Sequence, residues 1–195
     1  MIPLNLRKII PIACLLLAVA AFSQKARITQ VSADMGSRAA GGSESSQIIR
    51  VVTVKDGDTV KLEDGRDIRF CGIDAPETEK RGKPGQPGGE DAKKFLEKLV
   101  QKSGGNGYLI ETDKDRYGRT VGEIVLIVPD APGGEMNANS ELLMSGNAYF
   151  YRQYSNCPNA DRFEIAEGIA QKAKAGLWAH PGFEKPWDFR KRMKG

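Results

Sequence analysis

The sequence predicts an α+β fold, mainly β, with five strands and about three accessory helices, and three observations carry that prediction. Residues 48–73 hold three apolar, β-branched runs separated by the turn formers "DGD" and "EDGR". Residues 90–102 then switch to a helical period, with apolar positions three and four apart. Two more strand-like runs follow, and the helical period returns over 137–145 and 158–175.

The folded part begins near Gln47. The runs 48–55 ("IIRVVTVK"), 58–63 and 66–73 ("RDIRFCGI") form a three-stranded meander, in which Val54, Val60 and Leu62 alternate with polar neighbours. Over 90–102, Ala92, Phe95, Leu96, Leu99 and Val100 fall on one helix face. "GYLIE" and "TVGEIVLIV" are the fourth and fifth strands, joined by "TDKDRYGR". Gly146 ends the short helix over 137–145, and Gly176 caps the longer one over 158–175, whose Phe163, Ala166, Ile169, Ala170 and Ala173 face inward. Two architectures fit this order: a small closed barrel such as the OB-fold, and a two-layer α+β sheet. Neither fixes a function.

The ends of the chain read differently from its centre. Residues 1–23 open with Arg7 and Lys8, run apolar from Ile9 to Phe22 and finish in small residues, the grammar of a secretory signal. That run is shorter than the ~20 residues a membrane-spanning helix needs, and an uncleaved membrane anchor is the alternative. Residues 24–46 are polar, rich in small residues and without a period, which is a flexible tether. The domain then spans 47–180, and 181–195 is a basic tail in which Trp187 and Phe189 pack on the barrel rather than on bases. Cleavage after residue 23 removes 2 of the 29 basic residues and none of the 25 acidic ones, so the formal charge falls from +4 to +2. Such a balance does not argue for nucleic acid by itself; any electrostatic case rests on where the charges stand. Export leaves Cys71 and Cys157 in the domain, where one disulfide is expected, with two separate buried thiols as the alternative.

The chain has a single histidine, His180, in a turn-like "AHPG". Histidine-based nucleophiles and histidine-rich zinc sites would have to be built around that residue, so carboxylates, Arg, Lys and Tyr are left to carry chemistry. Three clusters supply them. "DGDT" brings Asp56 and Asp58 to the first hairpin turn, where a plain turn is the alternative. "RFCGIDAPET" brings Arg69, Asp74 and Glu77 to the end of the third strand, which the second hairpin returns towards Asp58. Converging carboxylates need a cation, and an oxygen-only set selects Ca²⁺ or Mg²⁺, with Ca²⁺ favoured by a flexible mix of ligands. "DKDRYGR" adds Arg116, Tyr117 and Arg119. Arg69 and Arg119 offer planar forks suited to a phosphate, and Tyr117 can stack on a base or sugar. A divalent ion, two guanidiniums and a spare carboxylate are the parts needed for phosphodiester hydrolysis.

"DGDTVKL", "RFCGIDAPE" and "DRYGR", in this order, resemble the staphylococcal nuclease (thermonuclease) family over roughly residues 48–178, through the final "AKAGLW". The resemblance implies an OB-fold barrel with accessory helices and Ca²⁺-dependent cleavage of DNA and RNA to 3′-phosphate products. It also implies roles. Asp58 and Asp74 would hold one Ca²⁺ with the backbone carbonyl of Ala75, which stands where the best-known members have Thr. Glu77 would orient or deprotonate the attacking water, while Arg69 and Arg119 would bind phosphate and stabilise the charge that develops. Either Tyr151 or Tyr154, in "YFYRQYS", would stack on a nucleotide. Asp56 would shape the turn or support the site from behind. The loop "EKRGKPGQPGGE", with Lys80, Arg81 and Lys83, would sweep the substrate backbone, a plain surface loop being the alternative. No stable protein partner is implied, and a monomer is expected. The competing class is a noncatalytic nucleic-acid-binding module, against which Asp58, Arg69, Asp74, Glu77 and Arg119 argue; a barrel binding saccharides or proteins would have no use for paired arginines around an acidic cluster.

Overall fold

A computed structural model of the protein describes residues 46–180 and 182–194. The signal segment expected over 1–23 lies outside the described residues, as does the tether over 24–46 apart from Ser46.

Alternating burial drives the meander. β1 (Ser46–Asp56), β2 (Thr59–Leu62) and β3 (Asp67–Phe70) pair antiparallel in sequence order. Val51 and Val54 both point inward although they are three apart, because register shifts in the β1–β2 pairing break the alternation. β5 (Asn106–Lys114) pairs with β1, and β6 (Thr120–Ile127) pairs with β5. A parallel pairing of β3 with β6 then closes the sheet into a barrel, so of the two architectures the barrel is found. A short β7 (Glu135–Asn137) extends β6 on the outside of that circuit.

The third strand is shorter than its apolar run suggests. It stops at Phe70, and Gly72 turns the chain with a φ of 66°. The next residues form β4 (Ile73–Asp74), which leaves the barrel and pairs with β8 (Tyr149–Phe150). A disulfide joins Cys71 to Cys157 across a separation of 86 residues, with their Cα atoms 6.0 Å apart. It fixes this turn to the segment after Tyr154.

Four α-helices lie among the described residues. α1 (Gly89–Lys102) buries Ala92, Leu96 and Leu99, with Phe95 and Val100 half-buried at the flanks. α2 (Ala138–Met144) is capped by Asn137, whose side chain accepts the Ser140 N–H at 3.0 Å. α3 (Ala160–Ala173) buries Phe163, Ala166 and Ala170, but its inward face differs from the expected one. Ile169 and Ala173 are exposed, and Glu167 takes the inward place because its carboxylate accepts the Phe150 N–H at 2.8 Å and pairs with Arg152 at 3.1 Å. The helix also ends earlier than expected, at a left-handed Lys174, while Gly176 opens the following 3-10 turn. α4 (Pro186–Arg192) lies within the stretch expected to be a basic tail, and Phe189 on it is buried.

Candidate active site

The turn between β1 and β2 is held tightly against its surroundings. A Cβ at Gly57 would lie 2.6 Å from that of Ala75 and 2.7 Å from that of Ala92, so glycine is required there for close approach, without a positive φ. Asp56 closes the turn by accepting the Asp58 N–H at 3.3 Å, and its other oxygen meets the Lys80 ammonium at 3.1 Å. Asp58 is thereby aimed inward. Its Oδ2 accepts the Ala75 N–H at 2.7 Å, and its Oδ1 pairs with the guanidinium of Arg69.

Asp74 is fully buried at the end of β4. Arg69 reaches it from β3, Nη2 to Oδ1 at 2.7 Å. A second guanidinium arrives from α4: Arg190 donates to Asp74 Oδ2 at 2.7 Å, to Oδ1 at 3.0 Å and to Glu77 Oε1 at 2.8 Å. The result is one chain of alternating charge: Asp58, Arg69, Asp74, Arg190, Glu77. Burial works against the charge on Arg190, but hydrogen bonds and attraction from Asp74 and Glu77 more than offset it and raise its pKa above the ordinary guanidinium value.

The sequence led us to expect three carboxylates converging on one another. Among the described residues no three acidic, His or Cys side chains are grouped as a metal cage. Guanidiniums separate them here, since like charges taken out of water must each meet a cation. The donor chemistry nevertheless fits a hard cation: Asp58 and Asp74 are buried carboxylates joined through Arg69 and the Ala75 main chain, and carboxylate oxygens are the donors such an ion takes. The two guanidiniums stand in for the positive charge such a cation would bring.

Arg119 enters from the turn between β5 and β6. Barrel closure pairs Ile68 with Thr120 and Arg69 with Val121, and Arg119 immediately precedes β6 at the end of that turn. Asp115 holds Arg119 at both ends, accepting its N–H at 3.0 Å and its Nε–H at 2.7 Å, and also accepts the Tyr117 N–H at 2.9 Å. Burial pushes the Asp115 carboxyl up, but these bonds more than compensate and leave its pKa lowered. Tyr117 is exposed, with the Arg116 and Arg119 guanidiniums 4.9 and 5.7 Å from its ring centre.

A cleft of about 1010 Å³ joins these groups, lined among others by Asp58, Arg69, Glu77, Arg119, Tyr151 and Arg190. Ala75, Arg116, Tyr117 and Tyr154 line it as well; His180 does not, and packs instead against Phe183. Tyr151 is already stacked: the Trp187 ring lies 4.8 Å away and nearly parallel, at 5°, while Tyr154 lies 4.9 Å away and tilted. In the basic loop, Lys80 and Lys83 exchange backbone hydrogen bonds at 3.1 and 2.7 Å, and both line the cleft.

Sequence reasoning missed Asp115, Gln86 and Arg190. An Asp two residues before Tyr117 is an Asx-turn signal and was open to recognition. Gln86 accepts the Glu77 N–H at 3.4 Å, donates its own N–H to the Glu77 carbonyl at 2.7 Å, and hydrogen-bonds the Glu184 carbonyl just before α4. Nothing local marks it, and nothing local separates Arg190 from Arg192.

Comparison with known proteins points the same way as the geometry. A family model described as staphylococcal nuclease homologue matches residues 67–180, which include Arg69, Asp74, Glu77 and Arg119; Asp58 precedes that span and Arg190 follows it. The chain is 33% identical over 150 residues to the micrococcal nuclease of Shigella flexneri, an alignment covering 74% of this chain and 80% of that protein. It is 35% identical over 141 residues to the thermonuclease of Staphylococcus hyicus, covering 70% and 78% respectively. An uncharacterized endonuclease of Escherichia coli is 34% identical over 146 residues, covering 73% and 84%. With the family model spanning more than half the chain and a closed barrel beneath it, this protein belongs to the staphylococcal nuclease homologue family.

Proposed function

We infer that this chain is a nuclease that hydrolyses phosphodiester bonds of DNA and RNA. The observation that carries the inference is the cleft itself, in which a carboxylate, Glu77, stands beside the buried Asp58–Arg69–Asp74 chain with Arg119 in the turn that enters the neighbouring strand. Hydrolysis of a phosphodiester needs a positioned water, a proton acceptor and preorganised positive charge where the transition state gathers negative charge. Each has a candidate in this cleft.

Glu77 orients the attacking water and takes its proton. The new oxygen–phosphorus bond forms as the bond to the 5′-oxygen breaks; the 5′-oxygen takes up a proton from solvent and leaves as a hydroxyl, and the phosphate stays on the 3′ side. Arg69 and Arg119 grip the phosphoryl oxygens and stabilise their added charge as the pentacoordinate state forms. Asp115 keeps the Arg119 fork in place from behind. Asp58, Asp74 and the Ala75 carbonyl are the groups that would hold Ca²⁺, and such an ion supplies Lewis-acid polarisation of a phosphoryl oxygen. Tyr151, Tyr154, Tyr117 and Arg116 line the route of the flanking nucleotides. The protein acts outside the cytoplasm after export, a reading supported by the signal-like residues 1–23 and by a disulfide that persists in oxidising compartments.

Incubation of the purified protein with single-stranded DNA, in Ca²⁺ and then with excess chelator, tests this directly. Cleavage that stops with the chelator is the expected result. A folded protein that binds the DNA but leaves it intact in Ca²⁺ would make the domain a binding module instead.

A further inference from the structure

Arg190 occupies the reaction centre from outside the barrel. It sits beyond the span matched by the family model, on a helix of seven residues. Several contacts seat that helix: Pro186 and Phe189 are buried, Trp187 stacks on Tyr151 and meets Tyr149 edge-on at 6.1 Å, and Gln86 hydrogen-bonds the Glu184 carbonyl. Once seated, the helix delivers one guanidinium to two acids that belong to other elements. Asp74 Oδ2 has Arg190 as its ion-pair partner, whereas Oδ1 is shared between Arg69 and Arg190.

A divalent cation on Asp58 and Asp74 needs oxygen lone pairs from Asp74, and Arg190 already engages both oxygens. Two cations cannot keep the same lone pairs, and their mutual repulsion adds to the conflict. The Arg190 side chain is 35% exposed, against 17% for Arg69, so of the two it is the more open to solvent. Resting on the reading of Asp58 and Asp74 as cation ligands, we propose that Arg190 is a positioning residue of the reaction: it is a tethered counter-charge that holds Asp74 and Glu77 before the cation arrives and competes with it for Asp74. Binding of the ion releases Arg190 from Asp74, and by linkage the seating of Arg190 weakens the ion to the same degree. The ion requirement of the enzyme is then set partly by its own C-terminal helix.

Calcium chloride titrated calorimetrically into the metal-stripped full chain tests the proposal, with Arg190→Gln, Arg190→Lys and Lys191→Gln prepared alongside. Removing a charge-assisted, forked competitor should tighten calcium binding by about tenfold in Arg190→Gln. Arg190→Lys, which keeps the charge and loses the fork, should fall between it and the unaltered chain. Lys191→Gln removes one exposed charge next door and should stay within about twofold, as weak screening of surface charge requires. Thermal melting gives a second reading: Arg190→Gln should melt lower without calcium and gain more on its addition. Should Arg190→Gln not fold, the Arg190→Lys titration carries the test. Equal or weaker binding in both Arg190 variants would overturn the proposal while leaving the cation site intact. Absence of calcium binding in every chain would instead remove the cation reading on which the proposal rests.

Discussion

Asp74 meets two arginines that the fold supplies in very different ways. Arg69 sits in β3, whose neighbours β2 and β6 are fixed by barrel closure, and the disulfide at Cys71 pins the strand end two residues later. Arg190 sits on α4, a single short helix held by the buried Pro186 and Phe189, by Trp187 against Tyr151 and Tyr149, and by a hydrogen bond from Gln86 just before it. Both make ion pairs of 2.7 Å to the same carboxylate. Distance alone therefore does not rank them. What differs is how each is held: Arg69 is carried by a strand paired on both sides and its side chain is 17% exposed, whereas Arg190 is carried by a short terminal helix and its side chain is 35% exposed.

That contrast orders the expected effects of mutation. Arg69→Gln strips the shared partner from two buried carboxylates and should destabilise the protein by about 3–5 kcal/mol, measured by denaturant unfolding. A loss no larger than that of Arg190→Gln would erase the distinction. Opening the disulfide with Cys71→Ser and Cys157→Ser frees a long loop in the unfolded chain and should cost about 2–5 kcal/mol by the same measurement. Gly57→Ala forces a methyl between Ala75 and Ala92 behind Asp58 and should cost about 1–3 kcal/mol, again on the barrel side of the comparison. Arg190→Gln should be the mildest, at about 1–2 kcal/mol without calcium, because Arg190 is itself partly exposed and the buried Asp74 keeps Arg69 as a partner.

The barrel side was largely legible in the sequence and the helix side was not. Alternation and the turn residues of "DGDT" and "EDGR" place β1 to β3, since strand pairing at short range follows local pattern. The apolar face of α1 is equally local. Where the reading went astray, a distant partner decided the outcome. Glu167 looks like a solvated helix position until Phe150 and Arg152 arrive from 17 and 15 residues away to satisfy it. The run "RDIRFCGI" reads as one strand, yet the left-handed Gly72 breaks it and Ile73 and Asp74 pair with β8, far along the chain. Asp58, Asp74 and Glu77 were marked by their turns, but the guanidinium joining the last two lies 113 residues beyond Glu77, in a run of basic residues where one arginine looks like the next. Register and periodicity cannot reveal a contact of that kind.

Glu77 carries the proton transfer on which hydrolysis in this cleft depends. The most direct measurement compares turnover of single-stranded DNA by Glu77→Gln and by the unaltered protein at saturating calcium, with DNA affinity and melting measured on the same preparations. Turnover should fall by at least about a hundredfold while binding and fold persist, since a positioned acid–base group contributes that much. Turnover equal to that of the unaltered protein would contradict the account and move the proton transfer elsewhere in the cleft.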